Sequence, residues 1–213
     1  MPTTGTTVEI APLDTADVAP AAQTLAAAFF DDPMTVYLIP DERRRKRALP
    51  HYFASVLRLS RASGVIETAT RDGRVEAAIV SMPPGAYPLP LLPQFREFRT
   101  LIACGFTAAV RNFRDLPPIE AAHPHEPFWY VMYLGVDPAA QRSGLGGALL
   151  ARTLARADAQ SVPAYLVTMQ PDNLAYYARF GFEVRDQLRM GKRGPDTWTL
   201  LRSVGAGAAG ATD

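Results

Sequence analysis

The segment 134–150, Leu-Gly-Val-Asp-Pro-Ala-Ala-Gln-Arg-Ser-Gly-Leu-Gly-Gly-Ala-Leu-Leu, constrains the fold more than any other. An apolar strand stops at Asp137-Pro138, and a short loop opens a helix on which Leu150, Leu154 and Ala157 recur at helical spacing. Gly144, Gly146 and Gly147 stand where that helix begins. Glycine there lets a ligand approach the backbone, and the first-turn N–H groups point outward with the positive end of the helix dipole behind them. A strand, loop and helix of this kind hold a pyrophosphate without net basic charge, and Arg142 adds a charge-assisted contact.

The residue details separate the phosphate-binding loops that use this device. A P-loop needs Lys and then Ser or Thr after its last glycine, whereas Gly147 is followed by Ala148-Leu149. A dinucleotide fold needs a third glycine where Leu149 stands and an acidic residue on the next strand, 164–168, which has none; it remains a weak alternative. A second motif follows at 170–184, Gln-Pro-Asp-Asn-Leu-Ala-Tyr-Tyr-Ala-Arg-Phe-Gly-Phe-Glu-Val. Asn173 suits an N-cap and Gly181 the position past a helix end, so this reads as a two-turn helix leading into a strand. Core packing is the plain reading of Tyr176, Tyr177 and Phe180.

Composition narrows the rest. The 22 Lys and Arg against 21 Asp and Glu give no field that would recruit nucleic acid or an anionic membrane. Cys104 is the only cysteine and the three histidines, His51, His123 and His125, have no matching ligand set, so neither a disulfide nor a metal is expected. No run approaches the roughly 18 apolar residues that span a bilayer, and the start lacks the basic-then-apolar pattern of a signal peptide. A cytoplasmic chain of one α/β domain, residues 1–203, with a disordered tail at 204–213, is expected.

Along the chain, 8–13 reads as a strand, followed by a helix with Val18, Ala22, Leu25 and Phe29 on one face and Pro20 in its first turn. That helix ends at Phe29-Phe30-Asp31-Asp32-Pro33. A second helix is predicted over 42–63, kinked or divided at Pro50 and capped by Gly64, with Leu49, Tyr52, Phe53 and Val56 as its apolar stripe; its basic run 43–47 reads as a solvated face. Strands 65–70 and 74–82 form a hairpin through Arg71-Asp72-Gly73. A proline-rich loop at 85–93, a helix at 94–113 and an irregular stretch at 116–127 form an insert, 84–127, placed to cover a substrate. Then come strand 128–136, helix 145–160, strand 164–168, helix 174–180 and strands 182–189 and 197–202.

The segment 128–184, with its Trp-Tyr and Gly-Val-Asp-Pro strand, Gln-Arg-Ser-Gly-Leu-Gly loop and Asn-Leu-Ala-Tyr-Tyr-Ala-Arg-Phe-Gly-Phe helix, resembles the GNAT N-acetyltransferases, in particular the puromycin N-acetyltransferase-like branch. Ala28 to Pro33 is similar to that branch as well. The resemblance implies a central mixed, mostly antiparallel, splayed sheet flanked by helices, and transfer of an acetyl group from acetyl-CoA to a primary amine of a small molecule by direct attack. Backbone groups of Leu134, Gly135 and Val136 would meet the pantetheine arm. Gln141, Arg142, Ser143, Gly144, Leu145, Gly146 and Gly147 would hold the pyrophosphate, with Asn173 and Tyr177 contributing to the same site. Tyr177, four residues before Gly181-Phe182, would protonate the departing thiolate. Phe30, Asp31, Asp32, Trp129, Tyr130 and Tyr133 are candidates for the acceptor pocket. The chain departs from the branch at Phe128, where relatives often carry histidine, and at Leu166-Val167-Thr168, which lacks an acid, so the base is open among Asp31, Asp32, Glu120, His125 and Glu126. A monomer or homodimer is expected. The alternative is a non-catalytic acyl-CoA-binding or sensing protein with the same fold.

Overall fold

The computed structural model describes residues 8–88, 100 and 103–206. Seven strands form one sheet in the order β1-β2-β3-β4-β5-β7-β6. They are β1 (Val8–Pro12), β2 (Val65–Arg71), β3 (Arg74–Met82), β4 (Trp129–Val136), β5 (Ala164–Thr168), β6 (Glu183–Arg189) and β7 (Asp196–Arg202). Every neighbouring pair is antiparallel except β4 and β5. The β2–β3 turn places Asp72 and Gly73 at φ 50° and 77°, the left-handed pair that a tight hairpin requires.

Helices cover both faces. On one lie α1 (Val18–Ala28), α2 (Pro33–Leu38) and α3 (Glu42–Ser60); on the other lies α6 (Leu145–Ala159). The short α4 (Phe106–Asp115) and α5 (Pro117–Glu120) precede β4, and α7 (Asp172–Ala178) joins β5 to β6. Strand β3 has a covered side on each face: Ala77 and Ile79 pack under α6, Ala78 and Val80 under α1 and α3.

Two features position the site. A bulge interrupts the β3–β4 register, with Val80 opposite Tyr133 but Ser81 opposite Val131. Met132 is the extra residue, so the parity of β4 changes there. Trp129 and Val131 face α6, Met132 and Tyr133 both face α1 and α3, and Leu134 and Val136 face α6 again. The parallel pairing of β4 with β5 also stops at this point, since it joins only Trp129, Tyr130 and Val131 to Ala164, Tyr165 and Leu166. Separately, α6 is tied down at two places. Its Arg152 and Arg156 both grip buried Glu67 of β2 at 2.7–2.9 Å, and its Asp158 takes two bonds from Arg202 of β7 at 2.6 and 3.0 Å. Arg202 also donates to the Phe180 carbonyl, which anchors the end of α7.

Several sequence expectations change in detail. Helix α3 runs through Pro50 undivided. Burial of Leu49, Phe53 and Leu57, each worth about 1.5–3 kcal/mol, outweighs the roughly 3 kcal/mol that an internal proline costs. It ends at Ser60 rather than Ser63, and Gly64 is no left-handed cap. A Cβ on Gly64 would lie 2.8 Å from the Ser60 carbonyl and from Met82 Sδ, so glycine is needed there for close packing. Asp32-Pro33 both ends α1 and starts α2, with Asp32 Oδ1 accepting from Met34 N at 2.9 Å and Thr35 N at 3.4 Å. Asn173 is not an N-cap: it lies inside α7 and its amide donates to Thr168 Oγ1 at 3.2 Å. In the insert, the described part of the expected helix 94–113 is broken at Gly105, φ 89°, and 116–127 contains α5. The remainder of 94–113 and most of the proline-rich loop lie outside the described residues, as does most of the tail. No helix among the described residues is long and apolar enough to cross a membrane.

Candidate active site

The sheet opens where the bulge ends the pairing. Beyond Val131, β4 has no strand partner on its β5 side among the described residues, so alternate peptide groups of 132–136 face a gap. Helix α6 begins beside that gap. Its N-cap, Gly144, has φ 86°, Arg142 has φ 63°, and no side chain caps the helix. The first-turn N–H groups are therefore left for a ligand, with the helix dipole behind them. The left-handed Arg142 costs about 1–3 kcal/mol, a strain of the kind that accumulates at ligand clamps.

A Cβ on Gly144 would meet nothing within 4 Å, so its requirement is conformational. One on Gly146 would lie 3.1 Å from Val136 Cγ2 and 3.3 Å from the Tyr176 hydroxyl, and one on Gly147 3.2 Å from Phe180 Cζ. These two glycines let the aromatics of α7 and its C-terminal turn close over the start of α6. Arg179 stacks over Tyr176 at 5.2 Å, bringing a second cation beside Arg142's loop.

Gap and helix start form one end of a cavity of about 1400 Å³. Leu134, Gly135, Val136, residues 141–147, Asn173 and Tyr177 all line it. These groups fit the acetyl-CoA that the sequence resemblance implies: a strand edge free to pair with amides, then uncapped N–H groups flanked by two arginines for phosphate. Among the described residues no cluster of three or more His, Cys, Asp or Glu could hold a metal.

Tyr177 is 9% exposed, packed edge-on against Tyr176 and Phe182. Burial raises its hydroxyl well above the ordinary tyrosine range, with Tyr176 and the Asp32 carboxylate adding to the shift, so it stays protonated. Asp32 lines the same cavity, and burial raises its carboxyl against the two N–H bonds that lower it. Of the other candidate bases only Glu120 lines the cavity. Asp31 is 86% exposed and lies 3.7 Å from Arg45, and His125 and Glu126 are exposed.

The acceptor candidates divide similarly. Tyr130 and Tyr133 line the cavity; Phe30 and Trp129 do not. Phe30 is covered by Arg45 at 4.6 Å, and Trp129 is a core residue whose indole donates to Gln160 at 2.9 Å. The bulge separates Trp129 from Tyr133, which would otherwise share a face. Three further lining residues escaped the sequence: Phe29 and Tyr52, read as the apolar faces of α1 and α3, and Tyr87. Tyr52 and Tyr133 share a hydroxyl hydrogen bond of 2.5 Å, and Tyr87 donates to the Glu120 carboxylate at 2.7–2.8 Å. The prolines and glycine around Tyr87 were a signal of a shaped loop, but its contact with Glu120 spans 33 residues and no local pattern encodes it.

Comparison with known proteins agrees with this geometry. The model of the acetyltransferase (GNAT) family matches residues 100–182, the stretch that contains the splayed strand, the phosphate-type loop and α7. A crystal structure of histone acetyltransferase HPA2 and related acetyltransferase from Corynebacterium glutamicum is similar over 92% of this chain and 96% of that one, with TM-score 0.69 and 21% identity. Drosophila melanogaster polyamine N acetyltransferase is similar over 93% and 100%, with TM-score 0.55 and 16% identity. PaiA N-acetyltransferase from Thermoplasma acidophilum, solved in complex with coenzyme A, is similar over 92% and 99%, with TM-score 0.56 and 12% identity. The fold is that of the GNAT acyltransferases, a single domain built on a seven-stranded, mostly antiparallel open sheet. The central segment of the chain carries that family's sequence pattern.

Proposed function

We propose that the protein is an N-acetyltransferase that moves an acetyl group from acetyl-CoA to a primary amine of a small molecule, and that Asp32 and Tyr177 handle the protons. The observation that carries this reading is the uncapped start of α6 opening, beside the unpaired edge of β4, into a cavity that also holds a protonated tyrosine and a buried carboxylate.

Bound acetyl-CoA supplies the acetyl group as a thioester, whose C–S bond breaks as the new C–N bond forms. Residues 141–147 hold the phosphates, and the edge of 134–136 aligns the arm and offers a backbone N–H to the developing oxyanion. Asp32 takes a proton from the acceptor's ammonium, since its Oδ1 is engaged by Met34 and Thr35 while the carboxylate still faces the cavity. Tyr177 gives its proton to the leaving sulfur and recovers the one shed by the attacking nitrogen, while the proton on Asp32 passes to solvent. Cys104 also lines the cavity, but burial pushes its thiol up and keeps it a poor nucleophile, which supports direct attack over an acetyl-cysteine route.

The described parts of the insert 84–127 flank the acceptor side in this reading, because Tyr87 and Glu120 both face the cavity. The resemblance of 28–33 and 128–184 to the puromycin N-acetyltransferase-like branch supports a small-molecule acceptor. The polyamine enzyme among the similar structures is compatible with one too. The test is thiol release from acetyl-CoA by the purified protein with a panel of primary amines that includes aminonucleosides, polyamines and peptide N-termini. Amine-dependent release is expected; binding of acetyl-CoA with no release for any amine would favour a non-catalytic sensor.

A further inference from the structure

The charges lining the cavity are segregated. At the phosphate end stand Arg142 and Arg179, with Asp172 in the first turn of α7. On the acceptor side, built from α1 to α5, Tyr87 and the first half of β4, the charged lining residues among those described are Asp32 and Glu120. Asp32 has the reacting amine to serve. Glu120 is left as a carboxylate with one hydroxyl partner, Tyr87, and no cationic partner among the described residues. Its surroundings suit a cation: Tyr52, Tyr87, Tyr130 and Tyr133 line the same chamber, with Tyr87 stacked on His123 at 5.2 Å and edge to face with Tyr130 at 5.0 Å, and tyrosine rings attract ammonium groups. A half-buried carboxylate that faces the cavity with only a hydroxyl partner among the described residues can still accept from a ligand ammonium.

Position fixes what that charge belongs to. The proposed transfer point lies at the bulge, Met132 to Leu134, beside Tyr177. Tyr130, which flanks the Glu120 and Tyr87 pair, precedes that stretch by two to four residues of strand, about 7–13 Å. One nitrogen cannot be in both places. We propose, resting on the transferase reading above, that Glu120 and Tyr87 recognise a second positive charge on the acceptor, so the preferred substrates are diamines or amines bearing another cationic group about 7–13 Å from the acetylated nitrogen. Glu120 is the specificity-determining contact and Tyr87 its positioning residue.

The experiment compares hexamethylenediamine with hexylamine, matched in length and differing in the second charge, on wild type and Glu120→Gln. Three quantities are read: kcat and KM for each amine, calorimetric binding of the diamine in the presence of coenzyme A, and the Kd of acetyl-CoA. Wild type should prefer the diamine by at least roughly 10-fold in kcat/KM, and Glu120→Gln should raise the diamine KM and calorimetric Kd by roughly 10- to 100-fold, the value of a hydrogen bond to a charged group. The acetyl-CoA Kd should not move, which also reports that the variant is folded. Equal use of the two amines, or a Glu120→Gln variant that keeps the preference, overturns the inference and leaves the transferase reading standing. Tight, Glu120-dependent diamine binding without turnover does the reverse. A diamine that neither binds nor reacts overturns the inference whatever other amine is acetylated.

Discussion

Asp32 and Tyr177 occupy adjacent stretches of one cavity, and burial moves both in the same direction, to opposite effect. The hydroxyl is held protonated through the neutral range, while the carboxyl has its titration displaced above the ordinary carboxylate range. A base with a raised pKa is ionised only above that pKa, so acetyl transfer should fall as pH drops through a value higher than a free aspartate would give. Asparagine still caps α2, so Asp32→Asn should fold normally, lose roughly 10²- to 10⁴-fold in rate and lack that acid limb in its pH profile. A variant profile that retains the limb would assign it to another group. The place of Tyr177 in the cavity was legible in the sequence because its motif is local: the spacing to Gly181-Phe182 and the loop upstream both lie within one stretch of chain. Asp32 and Glu120 were legible only as two of five candidate bases. Asp32 looked like one of two acids at a helix end, and only folding turns it inward while leaving Asp31 in solvent beside Arg45.

At the scale of elements, the site depends on where β4 bends and where α6 starts. The strand, the loop and the helix were readable because each has a period or a punctuating residue: Asp137-Pro138 ends β4, and Gly144 opens α6. The bulge at Met132 was not, since Trp-Tyr-Val-Met-Tyr-Leu-Gly-Val is apolar throughout and carries no alternation from which a parity change could be read. Trp129 was accordingly grouped with Tyr133, from which the bulge separates it. Helix α6 is held over the sheet by Glu67, whose carboxylate burial alone would raise but whose bonds from Arg156 and Arg152 bring it below the usual range. A lowered folded pKa means stability that is present above the unfolded value and lost as pH falls through the folded one, below about pH 4.5. Glu67→Gln should cost about 1–3 kcal/mol at neutral pH, lowering Tm by roughly 2–4 °C per kcal/mol for a chain of this size, with a smaller cost at acid pH. Equal destabilisation across pH would mean that packing rather than charge is what the glutamate contributes.

For the whole molecule, one sheet leaves room for both proposed substrates by failing to close. The β4 edge and the start of α6 offer neutral backbone groups and two arginines to an anion, and the opposite half of the cavity offers two carboxylates among tyrosines. A near-zero net charge is compatible with this, because opposite fields sit at the two ends of one cavity. The composition therefore excluded a globally basic binding protein without revealing either field. In the proposed mechanism the transfer step ties the halves together, and Tyr177 acts between them. The most direct test is single-turnover acetyl transfer to an accepted amine by Tyr177→Phe, with the Kd of acetyl-CoA measured on the same preparation. A slowing of roughly 10- to 10⁴-fold with a nearly unchanged Kd is the expected result; full-rate transfer by the phenylalanine variant would contradict the account.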